Sequence, residues 1–358
     1  MAAAPRKPGT QDVVVSTSVS APGALRVALL DWYDRNARSL PWRSPPSAAA
    51  RPDPYRVWLS EIMLQQTTVA AVGPYFERFL DAWPTVADLA AAPREDVLRA
   101  WAGLGYYSRA RNLHAAAGTV AAAGGFPPDE AGLRALPGVG PYTAAAIATI
   151  AFGLPANVVD GNVERVMARV HAIETPLPDA KPELAALAGR YVTPDRPGDW
   201  AQALMDLGAT VCTPRSPSCA ICPIVSFCEA EKGGAAEGYP RRLAKAAKPE
   251  RRGVAFRLRR GGEILLVRRP DKGLLGGMLA LPTTPWRTEV WTREEAVSHA
   301  PAPGDWRESG VVRHVFTHFA LILEVWTAEG EADGDWRTFA DIASHGLPTV
   351  FRKAALAS

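Results

Sequence analysis

Two carboxylates stand where they could do acid–base work, and their surroundings differ. Glu61 lies inside an apolar helical pattern at 57–64. If it faces inward, desolvation raises its pKa and makes it a proton donor near neutral pH; on the wet face it is an ordinary surface glutamate. Asp160 precedes a second helical pattern, 161–170, and is expected as its N-cap. A carboxylate there is favoured in its charged form by the helix dipole, which suits it to face a developing cation.

All four cysteines of the chain fall within 17 residues, in the spacing C-x6-C-x2-C-x5-C: Cys212, Cys219, Cys222 and Cys228. Secreted disulfide scaffolds spread their cysteines along the chain, so this clustering indicates a metal site in a reducing compartment. Four thiolates suit tetrahedral zinc or a four-iron cluster. Zinc sites usually show two close cysteine pairs and only one is present here, which favours iron–sulfur.

A glycine-rich turn precedes an Ala-rich helical pattern in LPGVGPYTAAAIATIAFG, 136–153. Gly138 and Gly140 allow a tight turn whose N–H groups, beside a helix N-terminus, can hold a phosphate. An ordinary corner between two helices has the same pattern, so the turn alone leaves both interpretations open.

Two further segments carry side chains that could enter a nucleic acid. Gln65, Gln66 and Thr67 interrupt the helix that contains Glu61, with Thr67 or Thr68 able to cap the next helix. These amides are loop filling, or they fill the space that a base leaves in a duplex. Tyr106, between a glycine and another tyrosine, is a candidate wedge, although aromatic residues usually belong to the core.

The elements that must position these residues fall into two domains. The chain has 358 residues, more than one hydrophobic core usually holds. Residues 24–230 show helical periodicity, whereas β-branched runs and the turn Gly261-Gly262 predict strands at 254–269 and 310–326, with a short helix from Arg293 to Ala300. The predicted fold class is therefore multidomain, an all-α domain followed by an α+β domain. Residues 1–23 are expected to be a disordered tail, 231–250 a solvated linker and 251–358 the second domain.

The bulk composition limits the class of protein. The net charge is +3, which permits a nucleic-acid partner without requiring one. We expect no signal peptide and no membrane partner, because no basic start is followed by an apolar run and no stretch approaches ~20 apolar residues. A cytoplasmic, nucleoid-associated monomer is the expectation.

The order LPGVGPYT, Val159-Asp160-Gly161 and four cysteines resembles the helix-hairpin-helix DNA glycosylases of the endonuclease III superfamily, over residues 25–230. The resemblance implies a helix-hairpin-helix glycosylase domain, a [4Fe-4S] cluster on loop 212–228, and a catalytic Asp160. Superfamily members with lyase activity carry a lysine where this chain has Tyr142. Weak or absent β-elimination is therefore expected, as in a monofunctional, water-using enzyme.

Three motifs narrow the resemblance to the MutY family: LPWR at 40–43, WLSEIMLQQT at 58–67 and GLGYY at 103–107. The resemblance implies that Glu61 is the acid/base and that Tyr142 and Asn162 orient Asp160 and the sugar. It also implies that Gln66 enters the duplex beside the orphaned base and that Tyr106, rather than Tyr107, wedges beside 8-oxoguanine. The residues that line or brace the adenine pocket, or belong to the same DNA-binding segment, are Arg38, Trp42, Arg43, Leu64, Gln65 and Thr67.

Residues 251–358 resemble the Nudix-like domain of the same family, in DKGLLGGMLALP at 271–282 and the following Trp286. Arg293-Glu294-Glu295 is only a fragment of the metal-binding helix of a Nudix hydrolase, so hydrolysis of nucleotides is not expected. The family's recognition loop reads Phe-Ser-His, whereas this chain has Phe316, Thr317 and His318, which keeps the hydroxyl and adds a methyl group. A half-buried strand with Phe316 in the core is the alternative.

The resemblance implies base-excision repair: hydrolysis of the N-glycosidic bond of adenine mispaired with 8-oxoguanine or guanine in double-stranded DNA. Three rivals stay open. One is a glycosylase for oxidised pyrimidines or G·T mispairs, which Tyr142 and the C-terminal domain disfavour. The others are a non-catalytic or redox-sensing iron–sulfur protein that binds DNA and a Nudix phosphohydrolase with an added DNA module.

Overall fold

The computed structural model describes residues 21–46, 48, 50–243, 248–270, 273–342 and 345–357. These residues form helices before residue 241 and a sheet with flanking helices after residue 248, which confirms the predicted fold class. Two compact units are present, and each is built from two segments. Unit 1 comprises the chain up to Arg38 and Val159–Arg241, and unit 2 comprises Ser39–Val158 and Arg242–Ser358.

The helices, in chain order, are α1 (Ala21–Asn36), α2 (Pro54–Leu64), α3 (Val69–Ala82), α4 (Val86–Ala91), α5 (Arg94–Ala100), α6 (Ser108–Ala122), α7 (Glu130–Arg134), α8 (Pro141–Ile150), α9 (Gly161–Val170), α10 (Lys181–Gly189), α11 (Pro197–Thr210), α12 (Glu229–Lys232), α13 (Arg293–Val297) and α14 (Thr349–Leu356). The strands are β1 (Glu250–Arg260), β2 (Glu263–Arg268), β3 (Leu279–Ala280), β4 (Arg307–Val315), β5 (Ala320–Glu329) and β6 (Asp335–Thr338). Within the described ranges, no helix is both long and apolar enough to cross a membrane.

Unit 1 is held by a core between α1, α9, α10 and α11. Leu25, Leu29 and Tyr33 recur every four residues, so they lie on one face of α1, and all three are buried in this core. The cysteine loop closes onto the same core through Ile224 and Cys228, which are buried with the helices. The loop is therefore part of the folded unit.

The helical part of unit 2 runs from α2 to α8 around large aromatic side chains. Trp58, Phe76, Phe79 and Trp101 are all fully buried. Helix α8 is buried along its length from Thr143 to Ile150, as expected of an Ala-rich helix that is apolar on every side. A central helix of this kind gives the turn before it a rigid base.

The rest of unit 2 is a mixed six-stranded sheet with the order β3-β2-β1-β5-β4, and β6 also pairs with β2. Strand β1 is parallel to β5 and antiparallel to β2. The predicted hairpin turns at Gly261 and Gly262, which have φ of 50° and 89°, the left-handed values that a tight hairpin requires. Helix α14 packs into the core of the sheet, with Val350 and Phe351 buried beside Leu323.

Three expectations about element bounds need correction. Helix α1 begins at Ala21, so the last three residues of the expected 1–23 tail are helical, whereas residues 1–20 lie outside the described residues. Helix α13 ends at Val297, three residues before the predicted end. The predicted linker 231–250 is not solvated throughout, because Ala236 and Tyr239 are buried in unit 1. Only a few apolar residues hold this segment against unit 1, so its overall composition remains polar and resembles that of a linker.

Candidate active site and iron–sulfur centre

Glu61 faces the protein interior. Helix α2 begins at Pro54, where Asp53 caps it by accepting a hydrogen bond from Tyr55 N at 2.8 Å. Seven residues later Glu61 is 7% exposed, within the continuous buried run from Val57 to Met63. The alternative of a surface glutamate is therefore wrong.

Helix α2 stops where the two glutamines begin. Gln66 has a φ of 60°, a left-handed value that is uncommon for a residue with a side chain, and it is exposed. Thr68, rather than Thr67, caps α3 by accepting a hydrogen bond from Ala71 N at 3.3 Å. Gln65 instead donates from Nε2 to Thr143 Oγ1 at 3.2 Å, which joins the end of α2 to the first turn of α8.

The loop before α6 presents one of its two tyrosines. Tyr106 is 50% exposed with φ at 46°, whereas Tyr107 is 8% exposed, and its burial raises the pKa of its phenol. Gly103, with φ at 108°, tightens the loop; a Cβ there would lie 2.2 Å from Tyr75 Oη. The geometry therefore favours Tyr106 as the side chain available to a partner, as the sequence predicted.

The glycine-rich turn leads directly into α8. Gly138 has φ at 77°, and a Cβ on it would lie 2.7 Å from Asn112 Cβ in α6, so glycine is required for backbone and packing alike. Gly140 is the N-cap residue and Pro141 begins the helix, leaving first-turn N–H groups directed out of it. Tyr142, where lyases of the superfamily have lysine, follows in the first turn and is half-buried.

Asp160 is the N-cap of α9, as predicted. Its Oδ1 accepts hydrogen bonds from Asn162 N at 2.9 Å and Val163 N at 2.8 Å, while Oδ2 accepts from Asn162 Nδ2 at 2.8 Å. These three hydrogen bonds fix the direction of the carboxylate at the N-terminus of the helix. Asn162 thus holds Asp160 through both its backbone and its side chain.

A second layer of contacts fixes Asn162 in turn. Arg165 donates from Nη2 to Asn162 Oδ1 at 2.8 Å and from Nε to the carbonyl of Cys212 at 2.8 Å. It also donates to the carbonyl of Gly208 at 2.7 Å, where helix α11 passes close to α9. Asp160 is therefore connected to the first cysteine of the loop through two side chains. Arg165 was not among the predicted site residues.

The residues predicted around an adenine pocket are distributed over both units. In unit 1, Arg38 donates from Nε to Asp206 Oδ1 at 2.6 Å, and Asp206 is fully buried. In unit 2, Trp42 is 7% exposed and packs edge-on against Phe76, with ring centroids 5.2 Å apart. Arg43 and Leu64, also in unit 2, are half-buried.

The four cysteines line one pocket, together with Arg169 and Glu231. Within the described residues, no three His, Cys, Asp or Glu side chains are grouped as ligands of a single metal ion. Four cysteine side chains around one pocket are the donor set that a four-iron cluster takes.

Hydrogen bonds support the cysteine loop from α9. Arg169, fully buried, donates from Nη1 to Cys212 Sγ at 3.2 Å and to the carbonyl of Thr213 at 2.8 Å. Burial raises the pKa of Cys222 to about 11, so the free thiol is protonated at neutral pH and binding of a cluster must displace its proton.

The predicted recognition loop of the C-terminal domain is a tight turn. Phe316 N donates to the carbonyl of Phe319 at 2.8 Å, which leaves Thr317 and His318 exposed at the tip. Phe316 is half-buried and stacks on Trp286 with centroids 5.7 Å apart. Thr317 Oγ1 lies 3.3 Å from Tyr106 Oη, so this tip meets the predicted wedge. Asp271 and Lys272, the first two residues of the Nudix-like pattern, lie outside the described residues.

Comparisons with known proteins agree with this arrangement. Residues 59–189 match the family model of the HhH-GPD superfamily base excision DNA repair proteins, 212–228 match the iron–sulfur binding domain of endonuclease III, and 253–357 match the NUDIX domain. The loop 212–228 is thus an iron–sulfur binding domain, and the chain carries a [4Fe-4S] cluster.

Individual relatives extend the match over most of the chain. The human adenine DNA glycosylase is 37% identical, over 92% of this chain and 73% of the human protein. The adenine DNA glycosylase of Schizosaccharomyces pombe is 31% identical, over 86% of this chain and 82% of its own. Among solved structures, a thermostable thymine-DNA glycosylase is similar with a TM-score of 0.53 and 29% identity, over 59% of this chain and 97% of that one. The buried glutamate, the capped aspartate, the cysteine loop and these relatives together place the chain in the adenine DNA glycosylase family.

Proposed function

We propose that the chain removes adenine from double-stranded DNA where adenine is mispaired with 8-oxoguanine or guanine. It acts as a monofunctional glycosylase, which hydrolyses the N-glycosidic bond and leaves the strand intact. The carrying observation is Asp160, oriented by three hydrogen bonds at the N-terminus of α9, with Tyr142 where a lyase has its amine. The adenine DNA glycosylases that this chain resembles support the choice of base.

Two carboxylates divide the chemistry. Glu61, in its protonated form, donates a proton to N7 of adenine, so the base takes the electron pair of the breaking bond and leaves as neutral adenine. Asp160, as the carboxylate, stabilises the positive charge that grows on the deoxyribose. Glu61 then accepts a proton from a water molecule as the oxygen of that water bonds to C1′ of the sugar. Asn162 and Tyr142 orient Asp160 and the sugar.

The base must first leave the stack, at a cost of a few kcal/mol that is smaller at a mispair. Gln66 and Tyr106 are exposed in loops, where each has a left-handed backbone conformation, and their side chains fill the space that the base leaves. The first turn of α8, behind Gly138 and Gly140, holds a backbone phosphate. The cluster supplies structural support for the loop that binds it, since four thiolates leave no open position for chemistry.

Preference for 8-oxoguanine resides in the loop Phe316–His318. Its support is the contact between Thr317 and Tyr106, because a group that reads the base opposite adenine must lie beside the wedge. Clustered cysteines fit a reducing compartment, so we place the activity at the cytoplasmic nucleoid, in a monomer.

The test uses excess protein with a duplex that holds one A·8-oxoguanine pair, followed by alkali. Parallel duplexes carry A·G, A·T, thymine glycol and G·T. Cleavage at the adenine that depends on alkali and is fastest opposite 8-oxoguanine is expected. Cleavage at a pyrimidine would overturn the substrate. Absence of cleavage on every duplex would favour a DNA-binding protein without catalysis, and metal-dependent hydrolysis of nucleotides would favour the Nudix phosphohydrolase.

A further inference from the structure

A single buried arginine, Arg109 in the first turn of α6, contacts both loops that carry the exposed left-handed residues Gln66 and Tyr106. Its Nη1 donates to the carbonyls of Ile62 at 3.0 Å and Met63 at 2.8 Å, and also to that of Gln65. These carbonyls belong to the end of α2 and the residue after it, so the guanidinium closes the C-terminus of that helix.

The other terminal nitrogen of Arg109 extends these contacts to the second loop. Nη2 donates to the carbonyls of Leu104 at 3.0 Å and Gly105 at 3.3 Å, and to Thr67 Oγ1 at 3.2 Å. The Tyr106 ring lies 5.5 Å from the guanidinium carbon, within cation–π range. One planar group thus bridges the residues next to Gln66 and those next to Tyr106.

The charge of Arg109 is compensated by these acceptors, since every hydrogen bond described for it ends on a carbonyl or a hydroxyl. Arg109 is 8% exposed. Burial lowers its pKa to about 10, and the side chain therefore still carries its charge at neutral pH. The carbonyl groups at the C-terminus of α2 carry partial negative charge and complement the charge of the guanidinium. Lysine could supply the charge but not a planar fork that reaches two loops.

Left-handed backbone at Gln66 and Tyr106 is unfavourable for residues with side chains and persists only where neighbours impose it. Arg109 is the neighbour common to both. We infer that Arg109 is a positioning residue that couples the two loops, so that Gln66 and Tyr106 enter the duplex together. This inference rests on the proposed function and deepens it, because it concerns expulsion of the base before any bond to the sugar breaks.

Coupling of this kind is measurable in a double-mutant cycle. Gln66→Ala, Tyr106→Ala and their combination are compared for the rate at which 2-aminopurine, placed at the target position opposite 8-oxoguanine, becomes fluorescent on unstacking. In the native background the two substitutions should be non-additive by about fivefold or more. In an Arg109→Gln background the same cycle should be additive within about twofold.

Controls separate positioning from general damage. Arg99→Gln removes an arginine that is 69% exposed and should leave the cycle unchanged. Absorbance of the cluster and the melting temperature monitor folding. Should Arg109→Gln fail to fold, Arg109→Lys serves instead, and the coupling should still be lost. In a duplex whose target adenine lies in an unpaired bubble, the Arg109 variants should recover most of the native cleavage rate, because expulsion no longer limits it.

Equal coupling in the native and Arg109 backgrounds, or additivity already in the native protein, would overturn the inference. So would a loss of cleavage in the bubble as large as in the paired duplex. Native protein that releases no adenine from any mispair would instead overturn the proposed function itself.

Discussion

At the scale of single residues, the direction of one carboxylate is the feature most open to test. Asp160 accepts three hydrogen bonds. An asparagine at this position has a similar shape and can still form hydrogen bonds, but it carries no negative charge. Asp160→Asn should reduce adenine release by about 10³-fold, because the cation on the sugar loses its counter-charge. Affinity for mispaired DNA, measured by fluorescence anisotropy, should change little.

A matched control for this substitution is available in α7. Asp129 is also an N-cap, accepting a hydrogen bond from Gly132 N at 2.8 Å, and it is exposed. Asp129→Asn should therefore leave the rate of release unchanged. Full activity in Asp160→Asn would exclude the role given to this carboxylate.

Tyr142 supports a second prediction at the residue scale. An amine in the first turn of α8 could attack C1′ of the product sugar, as in the lyases of the superfamily. Tyr142→Lys should therefore give a covalent protein–DNA complex trapped by borohydride, whereas the native protein gives little. The double variant with Asp160→Asn should give none, and trapping in the native protein at the same level would contradict a monofunctional enzyme.

At the scale of elements, the close approach of α9 and α11 should be sensitive to one methyl group. A Cβ on Gly208 would lie 2.6 Å from Asn162 Cβ, so Gly208→Ala must displace the residue that orients Asp160. We expect a loss of about 1–3 kcal/mol in the free energy of unfolding and a lower rate of adenine release. Thermal denaturation and single-turnover kinetics measure the two effects.

The control for this substitution is Gly73→Ala in α3, where a Cβ meets nothing within 4 Å. Alanine is the better helix former, so this variant should be as stable as the native protein or slightly more stable. A Gly208→Ala protein that matches it in stability and rate would show that the two helices can separate without consequence for Asp160.

Elements with a local signal were predictable from sequence. Asp160 as N-cap and the turn Gly261–Gly262 each depend on residues a few positions apart, and both were confirmed. Contacts between distant positions left no such signal. Arg38 and Asp206 are 168 residues apart, and Arg109 meets carbonyls more than 40 residues away. An arginine that binds backbone carbonyls cannot be recognised from sequence, because its partners have no side-chain identity.

At the scale of the whole molecule, two parts of the site come from segments that are far apart in sequence. Tyr106 and Thr317 are separated by 211 residues, yet their hydroxyls are 3.3 Å apart. The combined variant Thr317→Ala/His318→Ala should lower the ratio of cleavage rates for A·8-oxoguanine over A·G by about tenfold, since about 1–2 kcal/mol of polar contact is lost. Single-turnover rates on the two duplexes give the ratio.

The rate on A·G alone should change by less than about twofold in that variant, because the chemistry resides elsewhere. Thr317→Ser, which retains the hydroxyl, is the conservative control and should keep the native ratio. An unchanged ratio in the alanine variant would remove the C-terminal loop from recognition.

The division of each unit into two chain segments also determines the order in which the protein can be completed during its synthesis. Helix α1 is made before α11, with which it shares a core. Arg38, just after α1, binds Asp206 of α11, which follows it by 168 residues. At ~5–20 residues per second, the apolar face of α1 waits about 10–30 s on the ribosome for its core. Unit 2 is interrupted in the same way, since its sheet follows all of unit 1. Neither unit can therefore finish before the other has begun, and the nascent chain must keep two incomplete cores from aggregating at the same time.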